Sequence, residues 1–90
     1  MARYVPLGCL LAVYAPGDFD TWKQQIADLE EHHAERLATL AEQILADGIT
    51  TPILLGTDGR IWDGHHRITV AYRRGIEFVP VNFIEDERAG

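Results

Sequence analysis

Asp58-Gly59-Arg60-Ile61-Trp62-Asp63-Gly64-His65-His66-Arg67 is the stretch of this chain whose residues constrain the backbone most tightly. Asp58-Gly59 is a tight-turn dipeptide: Gly accepts positive φ, and Asp bonds its own backbone. Arg60 to Trp62 is short, apolar and β-prone, which predicts a strand leaving that turn. Gly64 opens a run, His65 to Arg74, with a helical pattern. A strand that passes through glycine into a helix start leaves backbone N–H groups without intrahelical partners, an arrangement that favours an anion. Two imidazoles and the guanidinium of Arg67 fall within that first turn. The chemistry predicted is that of a phosphate or nucleotide site formed by Gly64, His65, His66 and Arg67.

Both flanks extend the pattern. Upstream, Leu37 to Leu55 reads as a helix ending at Gly48, then Thr50-Thr51-Pro52 and a short buried strand, Pro52 to Leu55. Downstream, the helix from Gly64 carries Ile68, Ala71 and Tyr72 inward and stops at Gly75. Phe78 to Ile84 is the last strand, with Val79, Val81 and Phe83 on one face. Pro80 lacks an N–H, so this strand is expected at an edge or rim. Residues 85–90 read as a frayed tail.

This order of helix, Gly, Pro-Ile strand, turn, strand, Gly-x-x-Arg helix, Gly and Val-Pro-Val strand resembles the N-terminal domain of the ParB/sulfiredoxin superfamily across residues 37–84. The resemblance implies a compact α/β domain over residues 1–90, a small mixed sheet with helices packed around it. ParB proteins carry Gly-Glu-Arg-Arg at the motif and use it on CTP phosphates; here Gly64 and Arg67 are kept. They continue into a second nucleotide motif, a helix-turn-helix and a dimerisation domain, which residues 1–90 do not contain, so a sliding DNA clamp is not expected. Sulfiredoxins carry Gly-Cys-His-Arg with a nucleophilic Cys. Position 65 is His here, so that activity is not expected, whereas ATP-like phosphate binding by His66 and Arg67 is.

The Asp63-Gly64-His65-His66-Arg67 run is similar to the free-serine kinase branch. There the carboxylate and histidines serve phosphoryl transfer, and an acidic residue after the first strand acts as base. Asp18 or Asp20 would take that part here, in competition with helix capping. Small bacterial and phage proteins also carry this domain as the ParB-like nuclease. The resemblance thus implies a nucleotide (CTP, ATP or ADP, with Mg²⁺) or another small phosphorylated ligand. The alternatives are a phosphotransferase or hydrolase using Asp63 and His66, and a phage or plasmid accessory protein that binds a host protein through the Trp22 stripe, its pocket vestigial.

Other residues leave their roles open. Asp63 suits a helix cap, a metal-contacting carboxylate or a base. Thr50 and Thr51 suit either phosphate contacts or caps of the Gly48 loop, and in the superfamily this segment lines the nucleotide pocket. Trp62 suits the core or a ring stacked on a base. Adjacent histidines on a helix point about 100° apart. Neither His32-His33 nor His65-His66 is therefore expected to chelate a metal, and no zinc-type spacing exists. Cys9, the only cysteine, excludes an intrachain disulfide and reads as a buried structural thiol.

The N-terminal half is predicted from periodicity. Val5 to Tyr14 is apolar and is predicted to hold the first strand, most convincingly over Leu10 to Tyr14. Ala15 to Asp18 is a loop, with Asp18 or Asp20 capping the next helix. From Phe19 to Asp47, Trp22, Ile26, Leu29, His33, Leu37, Leu40 and Ile44 recur at steps of four, three, four, four, three and four. That stripe allows one helix of ~40 Å or two helices broken near Glu31 to Ala34. In the long form, Trp22, Ile26 and Leu29 would form an exposed ridge suited to a homodimer.

Composition narrows the partners. The 90 residues carry a net charge of −6, which weakens nonspecific binding to phosphate polyanions. Five of the 8 basic residues (Arg60, Arg67, Arg73, Arg74 and Arg88) nevertheless lie in residues 60–90. A local positive pocket on a negative body suits a small anion better than DNA. No apolar run approaches the ~20 residues that span a bilayer, so no membrane partner and a cytoplasmic location are expected.

Overall fold

In a computed structural model of the chain, residues 3–17 and 19–83 are described. Asp18, Ile84 and the 85–90 segment, with Arg88, lie outside them. The elements run β1 (Arg3–Pro6), α1 (Leu7–Val13), α2 (Trp22–His32), α3 (Ala34–Asp47), β2 (Ile53–Leu55), β3 (Ile61–Asp63), α4 (His65–Arg74) and β4 (Phe78–Phe83). The mixed sheet has the order β1-β4-β2-β3. β4 runs antiparallel to β1 and parallel to β2, while β2 and β3 pair antiparallel. The α/β architecture anticipated above is therefore present, and no described helix is long and apolar enough to cross a membrane.

The β2–β3 hairpin follows from its turn residues. Gly59 sits at φ 82°, and the Asp58 carboxylate accepts from the Arg60 N–H at 3.2 Å and from the Trp62 indole N–H at 3.1 Å. The indole hydrogen bond is the main reason the Asp58 carboxyl is held below the usual carboxylate range. Trp62 is 53% exposed, so it is neither core nor a wall of the cavity described below. Its indole instead lies where a side chain on Gly56 would have to go.

Several expectations are corrected. The apolar stretch assigned to the first strand is mostly helix: β1 ends at Pro6, and α1 buries Leu7 and Leu10 at helical spacing. A short apolar run fits a buried strand and a buried helical turn equally well. Here the space beside the sheet selects the helix. Cys9 falls on its outer side and is exposed. Tyr72 and Phe83 are also exposed, at 60% and 53%. Pro80 is buried in a central strand rather than at a rim. It is tolerated because the β2 pairing starts one residue later, at Ile53 opposite Val81, so the missing donor interrupts no registered parallel pair.

Helix α2 is capped by Thr21 rather than by Asp20, and Asp18 lies outside the described residues. Thr21 accepts from the Gln24 N–H at 3.2 Å, and the Gln24 side chain accepts from the Thr21 N–H at 3.3 Å. This reciprocal pair satisfies two orphan groups of the helix start.

The long helical stripe breaks at His33, whose φ of −130° and ψ of 34° lie outside the helix. His33 is at once the C-cap of α2 and the N-cap of α3, donating its N–H to the Leu29 carbonyl at 2.8 Å and accepting from the Leu37 N–H at 2.9 Å. An unbroken helix of ~40 Å would match the longest dimension of the molecule, 38 Å, and leave half its apolar face uncovered. Breaking lets Leu29 pack with Leu37, Ala41, Ile44 and Val70, while Trp22 covers the sheet-side core around Ile53, Ile68 and Val79. Ile26 and Leu29 are buried within the chain, at 7% and 5% exposed. The ridge that suggested a homodimer through Trp22, Ile26 and Leu29 is thus used internally.

Leu37, 1% exposed, sits at the centre of the helix cluster. Leu37→Ala should lower stability by about 2–5 kcal/mol through lost burial and a residual cavity. Urea denaturation followed by circular dichroism measures this.

Candidate functional site

The strand-to-helix junction after β3 depends on Gly64 twice over. Its φ is 112°, and a side chain there would meet Ile53, with Cγ1 at 2.9 Å and the backbone Cα at 3.2 Å. Backbone seated this close to β2 starts α4 directly against the sheet. Gly64 occupies the cap position but supplies no side-chain acceptor. Asp63 does not cap the helix either: its carboxylate pairs with Arg67 Nη2 at 3.3 Å.

The three side chains after Gly64 diverge. His65 turns away from the others. Its Nε2 accepts from the Gly17 N–H at 3.4 Å, and its ring lies 5.8 Å from that of Trp22. His65 therefore ties Gly17 and Trp22 to α4 and does not line the cavity described next. His66 and Arg67 turn the other way. Arg67 also donates from Nη1 to the Thr51 carbonyl at 3.1 Å, so its largely buried side chain clasps the α3–β2 loop to α4.

A cavity of about 550 Å³ lies between this first turn and α3. Thr50, Thr51, Asp63, Gly64, His66 and Arg67 line one side of it, and Arg36, Thr39, Leu40, Gln43, Ile44 and Asp47 line the other. That volume is in the range of small-molecule sites. Leu40 and Ile44 add an apolar strip among polar groups. The charges are mixed, with Arg36 and Arg67 against Asp47 and Asp63. The sequence-derived residues Thr50, Thr51, Asp63, Gly64, His66 and Arg67 are thus brought together. Asp20 lies in a separate cleft beside Trp22, and Asp18 is outside the described residues.

Two residues of this region went unnoticed in the sequence. Arg36 and its helix mates Leu40, Gln43 and Asp47 recur at steps of four, three and four, the spacing of one helix face. That signal was legible beside the apolar stripe. His33 belongs to the helical stripe of the sequence and carries no site role there, yet its Nδ1 lies 2.9 Å from His66 Nε2, with ring centroids 5.0 Å apart. The nitrogens are far closer than the ring centres, so the rings meet at their edges and share one hydrogen bond. No local signal linked positions 33 and 66.

Burial holds His66 below the ordinary histidine range, and the positive charge of Arg36 and then His33 acts in the same direction. The charged form is disfavoured in the fold, so the unfolded chain takes up this proton first as pH falls. The contribution is intact above about pH 6.5 and is lost as pH drops below it. The urea midpoint should therefore be lower at pH 5.5 than at pH 7.5, and His66→Gln should narrow the difference.

The fold and the cavity together define a small α/β module with a cleft at its glycine–helix junction. A solved structure of a Pnob8-like ParB-N domain superposes with a TM-score of 0.61 at 11% identity, covering 99% of this chain and 32% of that one. The chain shares the fold of that ParB-N domain, and it spans about a third of the length of that protein chain. No family model and no curated protein matches the sequence.

Proposed function

We propose that the chain binds a nucleotide or another small phosphorylated ligand in the cavity between α3 and α4. The observation that carries this reading is the convergence of His66, Arg67, Thr50 and Thr51 with Arg36 around about 550 Å³ at a glycine-opened helix start. Hydroxyls, imidazole and guanidinium are the donor set that phosphate oxygens require. The apolar strip of Leu40 and Ile44 offers a surface to a base or similar flat group, and Asp47 or Asp63 would meet a Mg²⁺ ion carried with the phosphates.

A second reading, phosphoryl transfer or hydrolysis with Asp63 and His66 as acid–base groups, draws on both residues lining the same cavity. Each is already engaged, Asp63 by Arg67 and His66 by His33, which favours binding over catalysis. A thermal-shift panel of CTP, ATP, ADP and GTP, with and without Mg²⁺, tests the proposal. Stabilisation by at least one nucleotide is expected, and none by any of the four would refute it. Turnover in the same samples, followed as released phosphate, would establish the second reading.

Duplex DNA is a poor ligand by the same logic. With a net charge of −6, residues 1–90 should bind it only weakly at physiological salt. A mobility-shift titration at 150 mM salt should show no submicromolar complex.

A further inference from the structure

We infer that the His33–His66 pair and Arg36 form a proton-coupled clamp, so that a phosphate group entering the α3–α4 cavity brings one proton onto the imidazole pair. This deepens the binding reading above and rests on it. It adds two residues from the α2–α3 junction and α3, names the ligand group as phosphate, and makes binding sensitive to pH.

The geometry limits the pair to three protonation states. With both rings neutral, a single hydrogen fills the 2.9 Å gap between His33 Nδ1 and His66 Nε2. With one added proton, the imidazolium still donates across the gap to the neutral partner, and the bond becomes charge-assisted. With two added protons both facing nitrogens carry hydrogen, the bond is lost and like charges face each other. The pair therefore accepts one proton readily and resists the second.

The groups facing His66 decide when that proton arrives. His33 and Arg36 face it from the α2–α3 junction and α3, and His65 and Arg67 flank it on α4. Asp47 lies across the cavity, and Asp63, held by Arg67, lines the same side as His66. Partial burial and the nearby cations disfavour a positive charge on His66 while no anion is bound. A dianionic phosphate reverses that balance by supplying the missing negative charge. Arg67 already spends donors on Thr51 and Asp63. Arg36 lines the cavity and has no ion pair among the described residues, so its fork is available to the incoming oxygens.

Inorganic pyrophosphate is a suitable probe, because it tests the clamp without a base or sugar. Isothermal titration calorimetry at pH 7 in two buffers of different ionisation enthalpy should show net uptake approaching one proton, with affinity rising as pH falls toward 6. His66→Gln should abolish the uptake. His33→Phe removes the hydrogen-bond partner of His66 and should reduce uptake and flatten the pH dependence. Arg36→Ala should weaken binding at least tenfold while leaving uptake in place, and Arg36→Lys should restore part of it. Arg36 and His33 are exposed, and unchanged melting in ligand-free buffer confirms that these variants fold. Pyrophosphate binding without proton uptake, Arg36→Ala binding as the wild type does, or no pyrophosphate binding at millimolar concentration would each overturn the clamp. If pyrophosphate binds with uptake but no nucleotide stabilises the protein, the nucleotide form of the binding reading fails while the clamp stands.

Discussion

Gly64→Ala should destabilise the fold by about 3 kcal/mol or more, the sum of a left-handed backbone imposed on an L-residue and a clash with a packed strand. The first part follows from φ 112°, and the second from Ile53, whose Cγ1 and Cα would lie 2.9 Å and 3.2 Å from the new methyl group. Ile53 is fully buried and paired in register with Val81, so it cannot move aside cheaply. For a domain of this size the loss corresponds to a fall in Tm of roughly 10–20 °C. Gly75→Ala is the control. Its φ of 73° and ψ of 29° are left-handed as well, but nothing lies within 4 Å of an added Cβ, so it should lose only about 1 kcal/mol. Differential scanning calorimetry of the two variants separates backbone strain from close packing. Equal losses would show that the contact with Ile53 contributes nothing.

Arg67→Ala should reduce nucleotide affinity at least tenfold and lower the melting temperature of the free protein as well. Both effects follow from one side chain joined to the Thr51 carbonyl and the Asp63 carboxylate. The pair with Asp63 is worth little, because that carboxylate is 65% exposed and water screens it. The bond to Thr51 matters more, since a charged donor to a carbonyl contributes ~1.5–3 kcal/mol and here it closes the α3–β2 loop over the helix start. Removing it frees Thr50 and Thr51 at the same moment as it removes a cation. Arg67→Lys keeps the charge but cannot reach both partners with one planar fork, so its affinity should fall too, by less. Calorimetric titration with the stabilising nucleotide gives the ratio. An affinity in Arg67→Ala equal to that of the wild type would remove Arg67 from the ligand site.

These two residues were legible before any coordinates, because their roles are written in local chemistry. Gly64 between a strand and a helix needs positive φ, and the motif places Arg67 one turn into α4 whatever surrounds it. The same locality made Asp58-Gly59, Gly48, Gly75 and the helical period of His65–Arg74 readable, and with them the order from α3 to β4. The resemblance to the ParB-like superfamily rested on that segment, and the ParB-N superposition agrees with it in fold.

Where the chain had two local options of similar energy, only tertiary packing chose between them. Leu7–Val13 became a helix because Leu7 and Leu10 could reach the core beside the sheet. The stripe from Trp22 to Ile44 broke at His33, with no Gly or Pro to mark the place, because a straight helix would have left Trp22, Ile26 and Leu29 in water. Pro80 settled in the centre of the sheet because β2 begins one residue too late to need its N–H. The divergence of His65 from His66 is fixed by helix geometry, yet which of them faced the cavity depended on where α2 and the 15–21 loop came to rest. The meeting of His33 with His66 spans 33 residues and was decided by that same break. Local sequence determined the glycine-opened helix and its arginine; long-range packing, which alone can decide what lies opposite them, supplied His33, Arg36 and the wall of α3.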